Sequence, residues 1–321
     1  MERLLLVGYG SIGRRHLHNL RTLGVTDLLV VEPDPVRRQQ VVSTERVPCY
    51  GTLHAALAQH PSIVVVTTPS QHHVEVALAA ARQQCHLFIE KPLSHSLAGL
   101  DSLAKTAADY GLITLVGCNM RFHPGPRQVQ RWLSAGLVGD VLAARLHTGS
   151  YLPTWRPQQD YHHSYSASPI WGGAVLDCIH ELDLALWLLG PARLAAACLR
   201  PAQSLGLETD GLAELLLEHT SGALSSVHLN FVQRNYQRRI EIIGSTGTLL
   251  WDITAASVEH YAADGRLAQR YQQPADWHLN TMYLDEMAYF LHCVRTRSTT
   301  QNPLAGATQT LTLALQARGS L

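Results

Sequence analysis

The sequence predicts two folded units of different kinds: a doubly wound parallel α/β sheet over the first 120 residues, then an α+β region built on a mostly antiparallel sheet. Three observations carry this. Up to about residue 120, continuous apolar runs alternate strictly with amphipathic stretches, the grammar of buried parallel strands joined by helices. Beyond Pro124 the hydrophobic period drops to two, the mark of strands with one buried face. The 321 residues also exceed what a single core of about 150 usually takes.

In order along the chain, the runs at 4–7, 28–31, 63–67, 87–90 and 113–116 read as strands, because they are apolar without alternation. The stretches 11–23, 53–58, 74–83 and 97–110 between them have helix-forming composition. After Pro124, helices at 127–134 and 180–189 flank a loop, 151–169, rich in Tyr, Trp, His, Ser and Pro. Period two then dominates from 211 to 271: Val227, Leu229 and Phe231 face one way, Ser226, His228 and Asn230 the other. Turn signals at Thr220-Ser221-Gly222, Gly244-Ser245-Thr246-Gly247 and Asp264-Gly265 separate at least four such strands. The tail, 282–294 and 304–317, returns to helix. The expected division is 1–120 and 121–321, with the helices from about 282 to 321 packing back toward the first unit.

Composition mainly excludes. Hydrophobic residues at 46% and charged residues at 16% are far from the signature of disorder. The 25 basic residues cancel the 25 acidic ones, so the electrostatic excess that drives nucleic-acid or anionic-membrane binding is missing. Six scattered cysteines without a C-x-x-C pair suit reduced thiols and a cytoplasmic protein. No apolar run reaches the ~18 residues of a membrane span, and the short run at 4–7 is no secretory leader. The 18 histidines stand out.

Gly8-Tyr9-Gly10-Ser11-Ile12-Gly13 spells G-x-G-x-x-G between a predicted strand and a predicted helix. Gly8 permits a tight turn, Gly10 lets a pyrophosphate approach the backbone, and Gly13 lets helix and strand pack closely. The phosphates then lie on the helix N-terminus, at Ser11 and Ile12. Taken alone the motif is equally a structural turn. Glu32, nineteen residues after Gly13, supplies the acidic partner for ribose hydroxyls, which favours NAD over NADP. Arg37 and Arg38 could serve a 2′-phosphate if their loop folds back.

Glu90-Lys91-Pro92 closes another strand, and the proline biases Lys91 to an extended conformation at the carboxyl edge, where open sheets bind ligands. A surface lysine before a turn reads as well. The same edge carries Thr68-Pro69-Ser70-Gln71-His72-His73, which either brackets the nicotinamide end of a dinucleotide or caps the following helix through Ser70. In Asp177-Cys178-Ile179-His180-Glu181-Leu182-Asp183, Asp177 and His180 share a face if the turn is helical. A carboxylate one turn away can fix the tautomer of a histidine, the common general base for a hydroxyl. Helix capping is the competing account. A metal site with His162 and His163 matches no standard zinc spacing, so no metal is expected.

The order of these features resembles the glucose-fructose oxidoreductase, inositol dehydrogenase and rhizopine-catabolism (Gfo/Idh/MocA) family over nearly the whole chain. The matching residues are Gly8, Gly10 and Gly13; Pro69 to His73; Glu90, Lys91 and Pro92; Gly117-Cys118-Asn119-Met120-Arg121-Phe122; the glycine-rich segment ending in Asp177 and His180; and Met282-Tyr283-Leu284-Asp285-Glu286. Two departures stand out: Trp171 replaces one glycine of the usual three, and Asp177 precedes His180 by three residues rather than four. This resembles a subgroup with a loop like Asp160-Tyr161-His162-His163-Ser164-Tyr165-Ser166-Ala167, some of whose members are linked to bacterial surface-sugar biosynthesis.

The resemblance implies a Rossmann N-terminal sheet, NAD (with NADP possible) as cofactor, and hydride transfer from a secondary alcohol of a sugar, cyclitol or related polyol. It suggests His180 as base, Lys91 as hydrogen-bond donor to the reacting oxygen and Asp177 as the group orienting His180; the reverse split, with Lys91 as base, is feasible if burial near cations lowers its pKa. Gly8, Gly10, Ser11, Ile12, Gly13, Glu32, Thr68, Pro69, His73, Glu90 and Lys91 would hold the cofactor, and Asn119, Arg121, Tyr161 and His162 would line the substrate side. Self-association through the second sheet, as homodimer or homotetramer, is expected. The same residues would also serve a redox-neutral glycosidase that uses NAD transiently, and a non-catalytic nucleotide-binding sensor is the reading from another class. His73, His162, His163 and His180 fall at the expected site, and the remaining histidine excess reads as composition.

Overall fold

The computed structural model describes residues 3–319, which fall into two compact units. The first runs to Asn119 and takes back Leu279–Thr308; the second holds Met120–His278 and the chain from Gln309 onward.

The first unit alternates β1 (Leu4–Val7), α1 (Ser11–Thr22), β2 (Leu28–Val31), α2 (Pro35–Gln40), β3 (Cys49–Tyr50), α3 (Leu53–Leu57), β4 (Ile63–Val66), α4 (His73–Arg82), β5 (His86–Glu90), α5 (Leu100–Asp109) and β6 (Thr114–Gly117). All its strand pairings are parallel, in the order β3-β2-β1-β4-β5-β6. Every residue of β1, β2, β4, β5 and β6 is buried, which is why these strands read as unbroken apolar runs. The strand order reverses between β1 and β4, so their carboxyl ends open the crevice where such sheets take ligands.

Two elements, α2 and β3, go beyond the strands and helices expected from the sequence. A two-residue strand leaves no run to detect, although Asp34, whose carboxylate accepts the Arg37 N–H at 2.8 Å, and Pro35 at the first helical position are recognisable start signals. The late helix α9 (Leu279–Thr296) is a core element of this unit. Its Met287, Phe290, Leu291 and Val294 join the cluster of Leu4, Leu6, Val30, Val65 and Phe88, and the Asn280 side-chain amide donates to Asn19 Oδ1 at 2.7 Å.

The second unit contains α6 (Pro124–Ser134), β7 (Val141–Tyr151), α7 (Ala174–Asp177), α8 (His180–Leu189), β8 (Ala192–Pro201), β9 (Asp210–His219), β10 (Leu224–Asn230), β11 (Val232–Gly244), β12 (Gly247–Asp252), β13 (Ser257–Ala262) and β14 (Leu267–Gln272). The last helix, α10 (Leu304–Ala317), starts in the first unit and ends in this one. One eight-stranded sheet runs in the order β14-β13-β12-β11-β7-β10-β9-β8. Every neighbouring pair is antiparallel except β7 with β10. Leu215, Leu217, Val227, Leu229, Ile240, Ile242, Leu249 and Trp251 alternate inward, as the period-two pattern requires.

Two strands lie outside the stretch that the sequence marks as sheet. β8, ARLAAACLRP, is rich in alanine, which favours helix, and it forms only because β9 pairs along it. β7 buries Ala144, Leu146 and Thr148, too mixed a row to register as apolar alternation. Both β8 and β14 are sheet edges.

Candidate active site

In the first unit the carboxyl edge collects four loops. Gly8 follows β1 with φ +100°, and a Cβ there would lie 2.9 Å from the Thr67 carbonyl oxygen. A Cβ on Gly13 would lie 2.0 Å from the Gly8 carbonyl oxygen, whereas a Cβ on Gly10 would meet nothing within 4 Å. The outer glycines are thus demanded by the protein's own packing. Gly10 faces open space, as a backbone that receives a ligand should. Thr67 braces the turn by donating to the Val7 and Gly8 carbonyls, at 3.0 and 2.8 Å. Nothing local in the sequence distinguishes this bracing role of Thr67 from that of its neighbour Thr68.

Glu32 ends β2 at 5% exposure. Its carboxylate accepts the N–H of Tyr9 and of Asp34, each at 3.0 Å, so it ties the glycine turn to the end of β2. Arg38 does fold back, donating to the Glu32 and Pro33 carbonyls at 2.9 and 3.0 Å. Arg37 stays exposed. The hydroxyl oxygen of Thr68 is buried without a hydrogen-bond partner among the described residues. An open glycine backbone, a buried carboxylate ending β2 and a spare hydroxyl at one sheet edge fit a dinucleotide.

Lys91 is half-buried beyond β5, and the Lys91–Pro92 bond is cis. Glu90, 7% exposed, accepts the Lys91 N–H at 3.1 Å and contacts His16 Nε2 at 2.6 Å. His73 is buried, with Nδ1 2.9 Å from the Pro92 carbonyl oxygen and Nε2 2.8 Å from that of Thr68. Both nitrogens face backbone carbonyls, and the neutral ring, with a single N–H, donates to one of them. Burial pushes its pKa down, against the pull of the two carbonyls. Asn119 is buried just past β6, and Tyr283 of α9, whose pKa is raised by burial and by Glu90, shares a hydrogen bond with it.

In the second unit the site is built where the chain enters α8. A Cβ on Gly172 would lie 2.2 Å from the Tyr165 carbonyl oxygen, and one on Gly173 would lie 2.2 Å from Asp210 Oδ1. This explains the glycine pair, since backbone and carboxylate occupy that space. Asp210 caps α7 by accepting the Val175 N–H at 2.9 Å, and Arg318 holds it in place at 3.0 Å.

Asp177 closes α7 and His180 opens α8, with Cys178 at φ −92°, ψ 30° between them. The turn is therefore not one continuous helix, and the shared helical face expected for the pair does not apply. Both residues are buried. Asp177 Oδ1 accepts from the Tyr165 hydroxyl and Oδ2 from Ser166 Oγ at 2.6 Å, two partners that the sequence reading did not identify.

Arg121 makes a two-pronged pair with Asp183, Nε to Oδ2 at 2.8 Å and Nη2 to Oδ1 at 2.6 Å, with 6% and 1% of the side chains exposed. Glu181, beside His180, pairs with Arg238 at 2.7 Å. The start of α8 is thus fixed by two buried ion pairs. The loop holding Tyr161 and His162 coils into three short 3₁₀ turns, Leu152–Thr154, Tyr161–His163 and Tyr165–Ala167. The Tyr161 hydroxyl donates to the Leu205 carbonyl at 3.2 Å, and His162 Nδ1 lies 2.7 Å from Asp160 with nearly half its side chain exposed.

The strand order, the steric demands on Gly8 and Gly13 and the open backbone at Gly10 define a dinucleotide-binding α/β protein with a second sheet unit. Comparison with known families agrees: residues 3–118 match the model described as "Oxidoreductase family, NAD-binding Rossmann fold", and residues 127–250 match the GFO/IDH/MocA C-terminal domain. The chain belongs to the Gfo/Idh/MocA family.

It is 26% identical over 306 residues to the myo-inositol 2-dehydrogenase of Thermotoga maritima, covering 91% of this chain and 88% of that protein. It is likewise 26% identical over 309 residues to the scyllo-inositol 2-dehydrogenase (NAD(+)) of Bacillus subtilis, covering 92% and 87%. Among solved structures, levoglucosan dehydrogenase in complex with NADH superposes with a TM-score of 0.86 at 18% identity, over 99% of this chain and 97% of the other. That similarity is one of fold. No helix among the described residues is long and apolar enough to cross a membrane.

Proposed function

We propose that the protein is an NAD-dependent dehydrogenase that oxidises a secondary alcohol of a sugar, cyclitol or sugar derivative. The observation that carries this is the open backbone at Gly10 on the same sheet edge as Lys91, in a chain that aligns with inositol dehydrogenases over nine-tenths of its length. Bound NAD supplies the two-electron acceptor, and the protein manages the proton and the oxygen. The His180 imidazole takes the hydroxyl proton as the C–H bond breaks and the carbonyl forms. Lys91 hydrogen-bonds the reacting oxygen and stabilises its developing charge. Asp177, fixed by Tyr165 and Ser166, orients His180. Asn119, Tyr161 and His162 are proposed to meet the substrate, and Arg121 to hold the start of α8 through Asp183.

Support for a homodimer or homotetramer comes from the large second sheet, whose strands β9 and β10 expose Leu216 and Leu224, at 39% and 46%. A monomer in sedimentation equilibrium would reject it. Small polyols, with no nucleic acid, in a cytoplasmic setting complete the proposal.

The test is turnover with NAD over a panel of inositols, levoglucosan, aldoses and nucleotide sugars. Lys91→Ala and His180→Ala should each lower kcat on the best panel substrate by about 10²-fold or more. Near-normal rates in both would sink the assignment. Product release without NADH accumulation would indicate a redox-neutral glycosidase, and NADH binding without any turnover would indicate a sensor.

A further inference from the structure

We propose that Lys91 is set in place by two buried histidines, His16 and His73, which fasten the residues on either side of it and so act as positioning residues for the reaction. This rests on the reading of Lys91 as the group that meets the reacting oxygen. On one side, His16 Nε2 lies 2.6 Å from Glu90 Oε1, and the other oxygen of that carboxylate accepts the Lys91 N–H at 3.1 Å. On the other side, His73 Nδ1 lies 2.9 Å from the carbonyl oxygen of Pro92. Positions 90 and 92 are each pinned by an imidazole, with Lys91 between them.

The two histidines come from informative places. His16 stands on α1, the helix that rises from the glycine turn, and His73 opens α4, directly after the Thr68–Pro69 loop, whose Thr68 carbonyl it also contacts at 2.8 Å. His16 thus ties the helix of the glycine turn to the lysine strand end, and His73, donating from Nδ1 to Pro92, ties to it the helix that follows the Thr68 loop.

Stability alone does not explain His16. It is fully buried, edge-on to Phe88 at 5.1 Å, and its Nδ1 has no hydrogen-bond partner among the described residues. An unsatisfied buried polar atom carries a cost that a leucine on the same helix face would avoid. What the imidazole adds is a fixed carboxylate beneath Lys91. Misplacing a reacting group by about 1 Å can lower a rate by ~10²-fold, so fixing this strand end matters for turnover far more than for folding.

Four variants separate positioning from packing. His16→Gln places an amide nitrogen near the place of Nε2 and keeps a donor to Glu90, whereas His16→Asn is one methylene too short. His73→Asn keeps a donor near Nδ1 for Pro92, whereas His73→Gln serves Thr68 instead. Turnover on the best panel substrate should fall by roughly 10- to 100-fold in His16→Asn and His73→Gln and stay near that of the unchanged protein in the other two. NADH affinity, read by nicotinamide fluorescence, should hold in all four.

A readout without substrate is also at hand, because the chain has only two lysines, Lys91 and Lys105. Lys105 is exposed and paired with Asp109 at 2.7 Å, so it serves as an internal reference. Trace acetylation with acetic anhydride, read by mass spectrometry as the Lys91 to Lys105 ratio, should shift in His16→Asn and His73→Gln only. Native kcat and a native ratio in those two, or equal losses in all four, would overturn the proposal. If Lys91→Ala itself retains turnover, the role of Lys91 in the reaction falls, while the acetylation ratio still judges the brace.

Discussion

Acid should unfold the second unit largely through one histidine. His123 is 1% exposed and caps α6: its Nδ1 accepts the Gly125 N–H at 3.1 Å. Its ring packs 5.2 Å from Trp251 and 4.7 Å from Trp277. Burial, reinforced by the nearby Arg238 cation, pushes its pKa down to about 3. Protonation would also turn the capping acceptor into a donor aimed at another N–H.

In the unfolded chain the ring titrates near 6.5, so below that pH the unfolded state binds the proton first. Stability is then lost as pH falls through about 6.5, and the loss levels off only near the folded value of about 3. Between pH 7 and pH 5 the difference between the two binding curves is about 2 kcal/mol. His123→Asn removes the titration while keeping a side-chain oxygen that suits the cap.

All six tryptophans lie in this unit, so urea unfolding followed by tryptophan fluorescence reports on it directly. The unchanged protein should lose about 2 kcal/mol more than His123→Asn between the two pH values, a midpoint difference of about 1 M urea. His147 and His219, whose pKa values burial also lowers, cancel in that difference. Equal losses in the two proteins would refute the reasoning.

Gly13→Ala should both destabilise the first unit and abolish NADH binding, since its Cβ would lie 2.0 Å from a carbonyl oxygen. Gly10→Ala, whose Cβ meets nothing within 4 Å, should keep the native melting temperature and weaken only NADH; a melting temperature lowered as far as that of Gly13→Ala would contradict the steric argument. NADH should bind more tightly than NADPH because Glu32 ends β2 with a buried carboxylate, and Arg38→Ala should weaken NADPH alone. Isothermal titration showing tighter NADPH binding would reverse the assignment of the preferred cofactor.

What could be read from the sequence follows from how local each cause is. Five of the six strands of the first sheet stand within a residue or two of where their apolar runs place them, because burial on both faces leaves a continuous signal. The glycine fingerprint was legible because its spacing lies within six residues, with Gly13 required by the carbonyl of Gly8 itself, even though Gly8 is also crowded by distant Thr67. The contacts that give the site its shape are not local. His16 meets Glu90 across 74 positions and Arg121 meets Asp183 across 62, and no periodicity encodes which charge finds which.

Asp177 illustrates the same limit: its partners, Tyr165 and Ser166, lie 12 and 11 residues away in a loop without a repeat. One signal was present and passed over. Gly13, His16, Leu17 and Leu20 share the buried face of α1, and a histidine in that row cannot sit there without a polar partner elsewhere in the core.

The histidine excess is explained the same way. His86 Nδ1 accepts the Ile113 N–H at 2.9 Å, His123 caps α6, and His219 bridges the Gly190 carbonyl and Ser225 at 2.9 and 2.8 Å. His73 spans the carbonyls of Thr68 and Pro92. These rings are too buried to be solvated surface composition, and among the described residues no His, Cys, Asp or Glu group could hold a metal ion. Each ring meets backbone at a loop, a strand or a helix end through at least one nitrogen. The expectation that the surplus was compositional fails there, because an imidazole is among the few side chains that can fill apolar space and still satisfy a buried peptide group.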